Sequence, residues 1–243
     1  MHPQFFLCNT FQIMITYDQF ADNCRAVYER IHAACERCGR DVNTVQLLPV
    51  TKVHPVEVVA YAVRYGFSAV GENKVQEAVH KQELRPEIET RWELIGHLQS
   101  NKARLAACHF DRIQTVDSIK LAARLQTVAA DREQPLHILL QVNAGDDPAK
   151  FGVSCTEAPA LLEGVQGFNS LRVDGLMTIA PLASDPAVAR RAFERLRGLR
   201  DELSRQSGLP LTVLSMGMTE DLEAAIAAGS TQVRVGTALF GAR

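Results

Sequence analysis

Short apolar runs alternate with helix-like segments about eight times along the chain, and this alternation constrains the fold more than any other feature. Alternation of this kind is typical of α/β proteins with a parallel sheet, and eight repeats is the number found in a closed (β/α)₈ TIM barrel. An open doubly wound sheet is the structural alternative. That fold usually carries a glycine-rich dinucleotide loop after its first strand, and no such loop follows here. The predicted strands cover residues 45–52, 67–70, 92–96, 112–116, 137–143, 171–178, 211–215 and 232–235.

One further helix is predicted ahead of the first strand. Apolar side chains recur at spacings of three and four between residues 16 and 38, and Thr16 with Gln19 forms a plausible capping box. We therefore expect a single barrel domain over residues 14–243 with an extra N-terminal helix. Residues 1–13 are expected to be a disordered extension.

Composition argues against several classes of protein. A chain with 47% hydrophobic and 22% charged residues has the profile of a soluble globular protein, and a net charge of −2 gives no general attraction to nucleic acid. No run is long and apolar enough to span a membrane, and the first residues lack the basic segment of a signal peptide. Cys35 and Cys38 form a lone C-x-x-C on a predicted apolar helix face, so we expect core packing and no metal site. We expect a cytoplasmic protein, monomeric or weakly dimeric, without nucleic-acid or membrane partners.

A lysine closes the first predicted strand, in the segment L-L-P-V-T-K ending at Lys52. Ammonium groups are rarely buried without a partner, so a lysine at this place has two interpretations. The side chain could simply extend its amine to solvent at the strand end. Alternatively, the amine could be held out of water, lose its proton readily and form a Schiff base with a carbonyl compound.

Two segments near the C-terminus have the composition of a phosphate-binding site. TIM barrels often bind phosphate after strands seven and eight, and those places here carry Ser215, Gly217 and Thr219, then Gly236 and Thr237. Glycine lets backbone amides approach a ligand, hydroxyls donate hydrogen bonds, and we expect Thr219 to start a helix whose N-terminus attracts anions. Each segment alone could equally be ordinary turn and cap chemistry.

Arg234 lies inside the last apolar run, V-R-V-G, where a cation needs a buried partner such as a carboxylate, a phosphate or a ring nitrogen. We expect Lys52 to lie across the barrel mouth from it. An amine, a phosphate cradle and a buried cation together describe a pocket for pyridoxal 5'-phosphate (PLP) held as an imine.

Several longer motifs carry a resemblance to a known family. They are L-L-P-V-T-K, G-E-N-K-V-Q-E, I-G-H-L-Q-S-N-K, G-L-M-T-I and the long block from S-M-G-M-T-E-D-L to V-R-V-G-T-A-L-F-G. The chain resembles, from about residue 16 to its end, the pyridoxal phosphate homeostasis proteins (the YggS/PROSC family), which share the barrel of alanine racemase. The resemblance implies a PLP-binding protein that buffers PLP inside the cell, without substantial catalytic turnover, and that could supply PLP-dependent apoenzymes.

The same resemblance implies roles for individual residues. Lys52 would be the Schiff-base lysine and Arg234 the arginine facing the pyridine nitrogen. Asn73 and Met177 would line the pocket, and Ser215, Gly236 and Thr237 would bind phosphate. Asn73 with Gln76 also looks like the cap of the following helix. The sequence departs from the family pattern at Thr51, Val53, Lys74 and Thr219, and Lys74 puts a second amine near the mouth.

An amino-acid racemase on the same barrel is the alternative function. Such an enzyme needs a second base, normally a tyrosine brought by another domain. The sequence given ends at Arg243, shortly after the last strand, and its four tyrosines fall on predicted helices away from the mouth. We therefore expect no catalytic residues and favour the carrier. A lysine-dependent aldolase without cofactor would leave the two phosphate-like segments unexplained.

Overall fold

The computed structural model describes residues 15–182 and 185–241, so the extension expected over residues 1–13 lies outside the described residues. The strands are β1 (Gln46–Pro49), β2 (Ala69–Glu72), β3 (Arg91–Leu94), β4 (Arg112–Val116), β5 (Leu136–Gln141), β6 (Leu171–Met177), β7 (Val213–Ser215) and β8 (Gln232–Val235). The helices are α1 (Tyr17–Arg37), α2 (Glu57–Tyr65), α3 (Val75–Leu84), α4 (Ala103–His109), α5 (Ile119–Val128), α6 (Ala158–Gln166), α7 (Pro186–Ser207), α8 (Leu222–Ala227) and α9 (Thr237–Phe240).

The eight strands form one parallel sheet that closes into a barrel. Their order is β1-β8-β7-β6-β5-β4-β3-β2, so the first strand pairs with the last. A parallel bridge between Val50 and Gly71 then joins the β1 and β2 edges. The predicted (β/α)₈ barrel is confirmed, and so is the helix ahead of it, which begins at the Thr16–Gln19 capping box.

The first strand is shorter than its apolar run predicted. β1 ends at Pro49, and after Val50 the chain enters a turn in which Val53 takes a left-handed backbone conformation, φ 60°. Lys52 therefore lies in a turn beyond the strand and does not close it. A β-branched residue at positive φ costs about 1–3 kcal/mol and persists only where neighbouring contacts hold it.

Two apolar clusters sit on either side of the sheet. A small cluster of Leu48, Val50, Ala69 and Ile95 is formed by residues in or just after the first three strands, whereas the large cluster joins the strands to the helices. α1 packs against α8 and α9. Each fully buried leucine, isoleucine or phenylalanine stabilises the fold by about 1.5–3 kcal/mol relative to exposure.

The barrel interior also holds a hydrogen-bonded polar chain, where barrels of this type more commonly hold layers of branched apolar residues. Gln114 donates to Glu93 at 2.6 Å and to Gln232 at 2.7 Å. Arg112 donates to Glu93 at 3.2 Å and to Asp174 at 2.9 Å. Each of these buried groups is paired, as burial requires.

Three local expectations are wrong. Lys74, and not Asn73, is the N-cap of α3, and it makes no side-chain capping bond. α8 begins at Leu222 and not at Thr219, because Met218 N–H donates to Asp221 Oδ1 and closes a turn first. Cys35 is buried as expected, but Cys38 caps α1 and is exposed. No helix in the described segments has both the length and the apolar character needed to cross a bilayer.

Candidate functional site

A cavity of about 370 Å³ opens at the carboxyl ends of the strands, where TIM barrels carry their sites. Loops that follow most of the strands contribute to its wall. Of the residues that the sequence singled out, those lining it are Lys52, Asn73, Thr219, Arg234, Gly236 and Thr237. The structure therefore brings most of the predicted site together around one space.

We expected Lys52 to lie across the barrel mouth from Arg234. The structure instead makes them neighbours in this cavity. Barrel closure pairs β1 with β8, so that Pro49 lies beside Val235. The Lys52 amine therefore comes from the turn that follows β1, the strand next to the one that carries Arg234. Lys52 is half-buried, which fits an amine lining a cavity better than one extended into bulk solvent.

The Arg234 guanidinium is held rigidly at the cavity floor. The residue is only 4% exposed, and it donates from Nη1 to Ser215 Oγ at 2.7 Å and from Nη2 to the Thr178 carbonyl at 2.8 Å. Burial lowers the pKa of Arg234 to about 10, which still leaves it a cation at neutral pH. Its hydrogen-bond partners within the described protein are a hydroxyl and a carbonyl, and none of them is a carboxylate.

Three of the predicted residues lie behind the cavity wall. Met177 and Ser215 are fully buried at the ends of β6 and β7. The Ser215 hydroxyl accepts from Arg234 and donates to Gln114 Oε1 at 2.6 Å, so its bonding capacity is largely used within the protein. Gly217 has φ 96°, and its carbonyl accepts from the Arg234 backbone N–H at 3.0 Å, which ties the β7 loop to β8.

Two threonine hydroxyls remain available at the cavity. Thr219 is half-buried in the turn before α8, and Thr237 is exposed at the start of α9. Within the described part of the chain, neither hydroxyl has a side-chain hydrogen-bond partner. Gly236 packs closely against β1, since a Cβ there would approach the Val50 carbonyl to 3.2 Å. Hydroxyls, a close backbone and the Arg234 cation form a set of donors suited to an anion.

Asn73 reaches the cavity because Gly96, just beyond the end of β3, lets the chain come close. A Cβ at Gly96 would lie 2.1 Å from the Asn73 carbonyl oxygen, so only glycine fits there. Asn73 is exposed just beyond the end of β2. Gly96, after β3, thus allows the loop after β2 that carries Asn73 to pack closely against it.

A buried ionic cluster below the Lys52 turn went unrecognised in the sequence. Lys81 is 5% exposed and donates to Glu72 at 2.6 Å and to Glu77 at 3.0 Å. The Glu77–Lys81 spacing of four residues on a helix is usually a sign of an exposed pair, so it gave no hint of burial. Burial raises the pKa of Glu72, while Lys81 and the Thr51 hydroxyl oppose that shift.

Lys150, His97 and Lys74 differ in their relation to the cavity. Lys150 lines the cavity from the loop after β5. His97 does not line it, but stacks on Phe151 with ring centroids 3.9 Å apart. Lys74 is exposed at the start of α3 and is not part of the lining. Leu182 and Phe151 are exposed apolar residues beside the opening.

The four tyrosines lie away from this site. Tyr17, Tyr28, Tyr61 and Tyr65 lie on α1 and α2, as predicted, and pack with Phe20 and Phe67 in an aromatic cluster. None of them lines the cavity among the residues described. No group of three or more histidine, cysteine, aspartate or glutamate side chains suited to a metal ion occurs in that same part of the chain.

Comparison with family models and known sequences gives a consistent result. Residues 15–243 match the model of the alanine racemase N-terminal domain. A pyridoxal phosphate homeostasis protein of Pseudomonas aeruginosa is 43% identical over 223 residues, covering 92% of this chain and 95% of that protein. A protein of the same name from Escherichia coli is 40% identical over 233 residues, covering 93% and 97%.

Solved structures show the same fold. PipY of Synechococcus elongatus with PLP bound superposes with a TM-score of 0.80 at 36% identity, covering 91% of this chain and 100% of that one. An alanine racemase of Clostridium difficile gives a TM-score of 0.72 at 12% identity, covering 91% of this chain and 57% of the racemase. The racemase likeness extends to the barrel fold alone.

Proposed function

The chain belongs to the family of pyridoxal phosphate homeostasis proteins, built on the alanine racemase N-terminal barrel, and on that premise we propose that it binds PLP as a Schiff base on Lys52. In this role it holds and releases PLP within the cell and does not turn over a substrate of its own to any substantial extent. PLP is both its ligand and its cargo, and PLP-dependent apoenzymes are the proposed recipients.

One observation carries this proposal: a single cavity joins a lysine amine, a buried guanidinium and two available hydroxyls at the carboxyl end of a barrel. PLP offers an aldehyde, a pyridine ring and a phosphate dianion, and each needs a different partner. Lys52 suits the aldehyde, and Arg234 suits the pyridine nitrogen. Thr219, Thr237 and the backbone at Gly236 suit the phosphate.

The cation at the cavity floor favours a carrier over a catalyst. A ring nitrogen beside a permanent positive charge is disfavoured from taking up a proton, and an unprotonated ring is a weaker electron sink. Arg234 remains charged at neutral pH even though burial lowers its pKa to about 10. Bound PLP would therefore be held in a form poorly suited to carbanion chemistry.

The tyrosines give a second argument against the racemase alternative. A racemase needs a base on each face of the cofactor, and the described tyrosines all pack between helices in the aromatic cluster on α1 and α2. The family shares the racemase barrel. However, none of the described cavity residues is a tyrosine that could serve as the racemase's second base.

Ser215 has an indirect role in this proposal. Its hydroxyl already joins Arg234 to Gln114, so it orients the guanidinium, and it reaches a phosphate only by giving up one of those bonds. Met177 and Gly217 support the wall in the same indirect way.

The cytoplasm is the proposed compartment, where the free thiols at Cys24, Cys35 and Cys155 would remain reduced.

The test is to mix the purified protein with PLP, reduce it with borohydride and locate the pyridoxyl group by peptide mass spectrometry. We expect a yellow protein with one dominant modified lysine, Lys52. The same PLP-loaded protein, incubated with pure L- or D-alanine, should produce far less of the other enantiomer than an equal amount of alanine racemase.

Pyridoxal and PLP should be compared in this experiment, with protein omitted as the control for free aldehyde. A pyridoxyl group spread over many surface lysines would contradict a specific Lys52 site. Rapid appearance of the opposite alanine enantiomer would overturn the carrier proposal and support the racemase.

Replacing Thr237 with valine should weaken PLP retention about ten- to a hundredfold, because a hydrogen bond to a charged group contributes about 1.5–3 kcal/mol. Binding of pyridoxal, which has no phosphate, should change little. The measurement is equilibrium dialysis of both ligands. Thr127→Val, on α5 and away from the cavity, is the matched control. Equal losses for PLP and pyridoxal would show that Thr237 does not contact phosphate.

A further inference from the structure

The buried ionic cluster of Glu72, Glu77 and Lys81 contacts the chain on both sides of Lys52. Lys81 Nζ donates to the carbonyl of Thr51, the preceding residue, at 2.8 Å. The N–H of Val53, the following residue, donates to Glu77 Oε1. The backbone that carries Lys52 is thus held from before and after by one set of charges.

A third bond fixes the Thr51 side chain. Its hydroxyl donates to Glu72 Oε1 at 2.6 Å, and the same oxygen accepts from Lys81 at 2.6 Å. Thr51 and Glu72 are fully buried, Lys81 is 5% exposed and Glu77 is 21% exposed at the side chain. Charge-assisted bonds removed from water in this way are strong and directional, unlike surface pairs.

These bonds hold a turn whose backbone conformation is unfavourable on its own. Val53 has φ 60°, in the left-handed region that a β-branched residue avoids. Its side chain is 51% exposed, so side-chain packing supplies little of what keeps it there. A bond from His54 N–H to the Thr51 carbonyl at 3.2 Å closes the turn, and the bond from Val53 N–H to Glu77 is the side-chain contact made by the Val53 backbone itself. Without it, Val53 would relax toward the extended or right-handed region and turn the Lys52 side chain away from the cavity.

We propose that Glu77, Lys81 and Glu72 are positioning residues for Lys52, and that they set the reactivity of its amine toward PLP by fixing the Thr51–Val53 turn. This proposal rests on the proposed function of Lys52. The three residues are not among those that line the cavity, and they act through the backbone. Residues of β2 and α3 thereby orient a lysine that lies in the turn after the adjacent strand, β1.

The test is the rate of imine formation between the protein and pyridoxal 5'-phosphate, followed by absorbance in stopped flow. Glu77→Leu should slow it about ten- to a hundredfold, since small displacements of a reacting group have effects of that size. Glu77→Gln keeps the accepting oxygen and should remain within about threefold of the unaltered protein. Should Glu77→Leu fail to fold, Glu77→Ala replaces it, because water can reach this half-buried site.

Two further variants separate positioning from general stability. Glu194→Leu removes an ion pair of the same spacing from the exposed face of α7, where Glu194 pairs with Arg190 at 2.7 Å, and should leave the rate unchanged. Adding Val53→Gly to Glu77→Leu should restore at least part of the rate, because glycine adopts positive φ without strain. A purely structural role for Glu77 in α3 predicts no such rescue.

The outcomes are distinct from a failure of the proposed function. Absence of any imine in the unaltered protein would refute the Lys52 site itself, and the positioning proposal with it. A normal imine in the unaltered protein with an unchanged rate in Glu77→Leu would overturn positioning alone. If Glu77→Leu slows imine formation and Val53→Gly does not restore the rate, the positioning proposal is also contradicted. Slowing that Val53→Gly relieves supports the positioning proposal.

Discussion

Replacing Lys52 with alanine should abolish the imine absorbance of the protein in the presence of PLP while leaving the fold intact. Lys52 lines the cavity and lies in a turn beyond β1, so truncation removes the amine without opening a hole in either apolar cluster. We expect the free energy of unfolding to change by less than about 1 kcal/mol, as for most substitutions outside a core. The imine signal should fall to background.

Some binding should survive this change. The Arg234 cation and the hydroxyls of Thr219 and Thr237 remain, so PLP should still bind non-covalently, more weakly and with stronger dependence on salt. Absorbance spectra measure the imine, and borohydride labelling locates the covalent site. Urea unfolding of the same sample measures the stability.

Two other lysines serve as controls because they lie near the mouth. Lys150→Ala removes an amine that lines the same cavity, and Lys74→Ala removes an exposed amine at the start of α3. Both variants should keep the imine band. A full band in Lys52→Ala, with pyridoxyl found on Lys150 or elsewhere, would show that another lysine carries the aldehyde.

Most of the fold could be predicted from the sequence because each strand is a short apolar run bounded by polar turns. The fourth and eighth predicted strands have the bounds of β4 and β8. The first prediction extended too far because Val50 continues the apolar run and Lys52 was placed at its end, whereas the left-handed turn at Val53 depends on contacts with α3 that the local sequence does not reveal.

The site was predictable in its residue types and less so in its geometry. Lys52 and Thr237 stood out as polar residues that follow apolar runs, and Arg234 as a cation inside one. Their arrangement was misjudged, since closure of a barrel makes the first and last strands neighbours. Ser215 was assigned to phosphate from its motif, but its hydroxyl bonds Arg234 and Gln114 inside the barrel, which only the packed strands reveal.

The largest effect on stability is expected at Lys81. Lys81→Met should lower the free energy of unfolding by about 3–5 kcal/mol near neutral pH, because removing one partner of a buried ion pair leaves the other charge unpaired. Glu72 is fully buried beside Lys81 and, among the described residues, would keep only the Thr51 hydroxyl as a hydrogen-bond partner. Urea unfolding of both proteins gives the difference directly.

This loss should depend on pH in a definite direction. Burial raises the pKa of Glu72 above its usual 4.5, and Lys81 holds the rise in check. A carboxyl with a raised pKa in the folded state favours folding below its unfolded pKa, and that contribution is lost as pH rises through the folded value. Without Lys81 the pKa of Glu72 rises further, so the destabilisation of Lys81→Met should be larger at about pH 8 than at about pH 5.

A second substitution should reverse much of the damage. Glu72→Gln in the Lys81→Met background removes the unpaired charge, so the double variant should regain at least part of the lost stability and lose the pH dependence. Lys120→Met, on the exposed side of α5, is the matched control and should change stability by less than about 0.5 kcal/mol. If Lys81→Met were equally destabilised at both pH values, or not relieved by Glu72→Gln, the buried charge of Glu72 would not be the cause. The cluster would then stabilise the turn by packing alone.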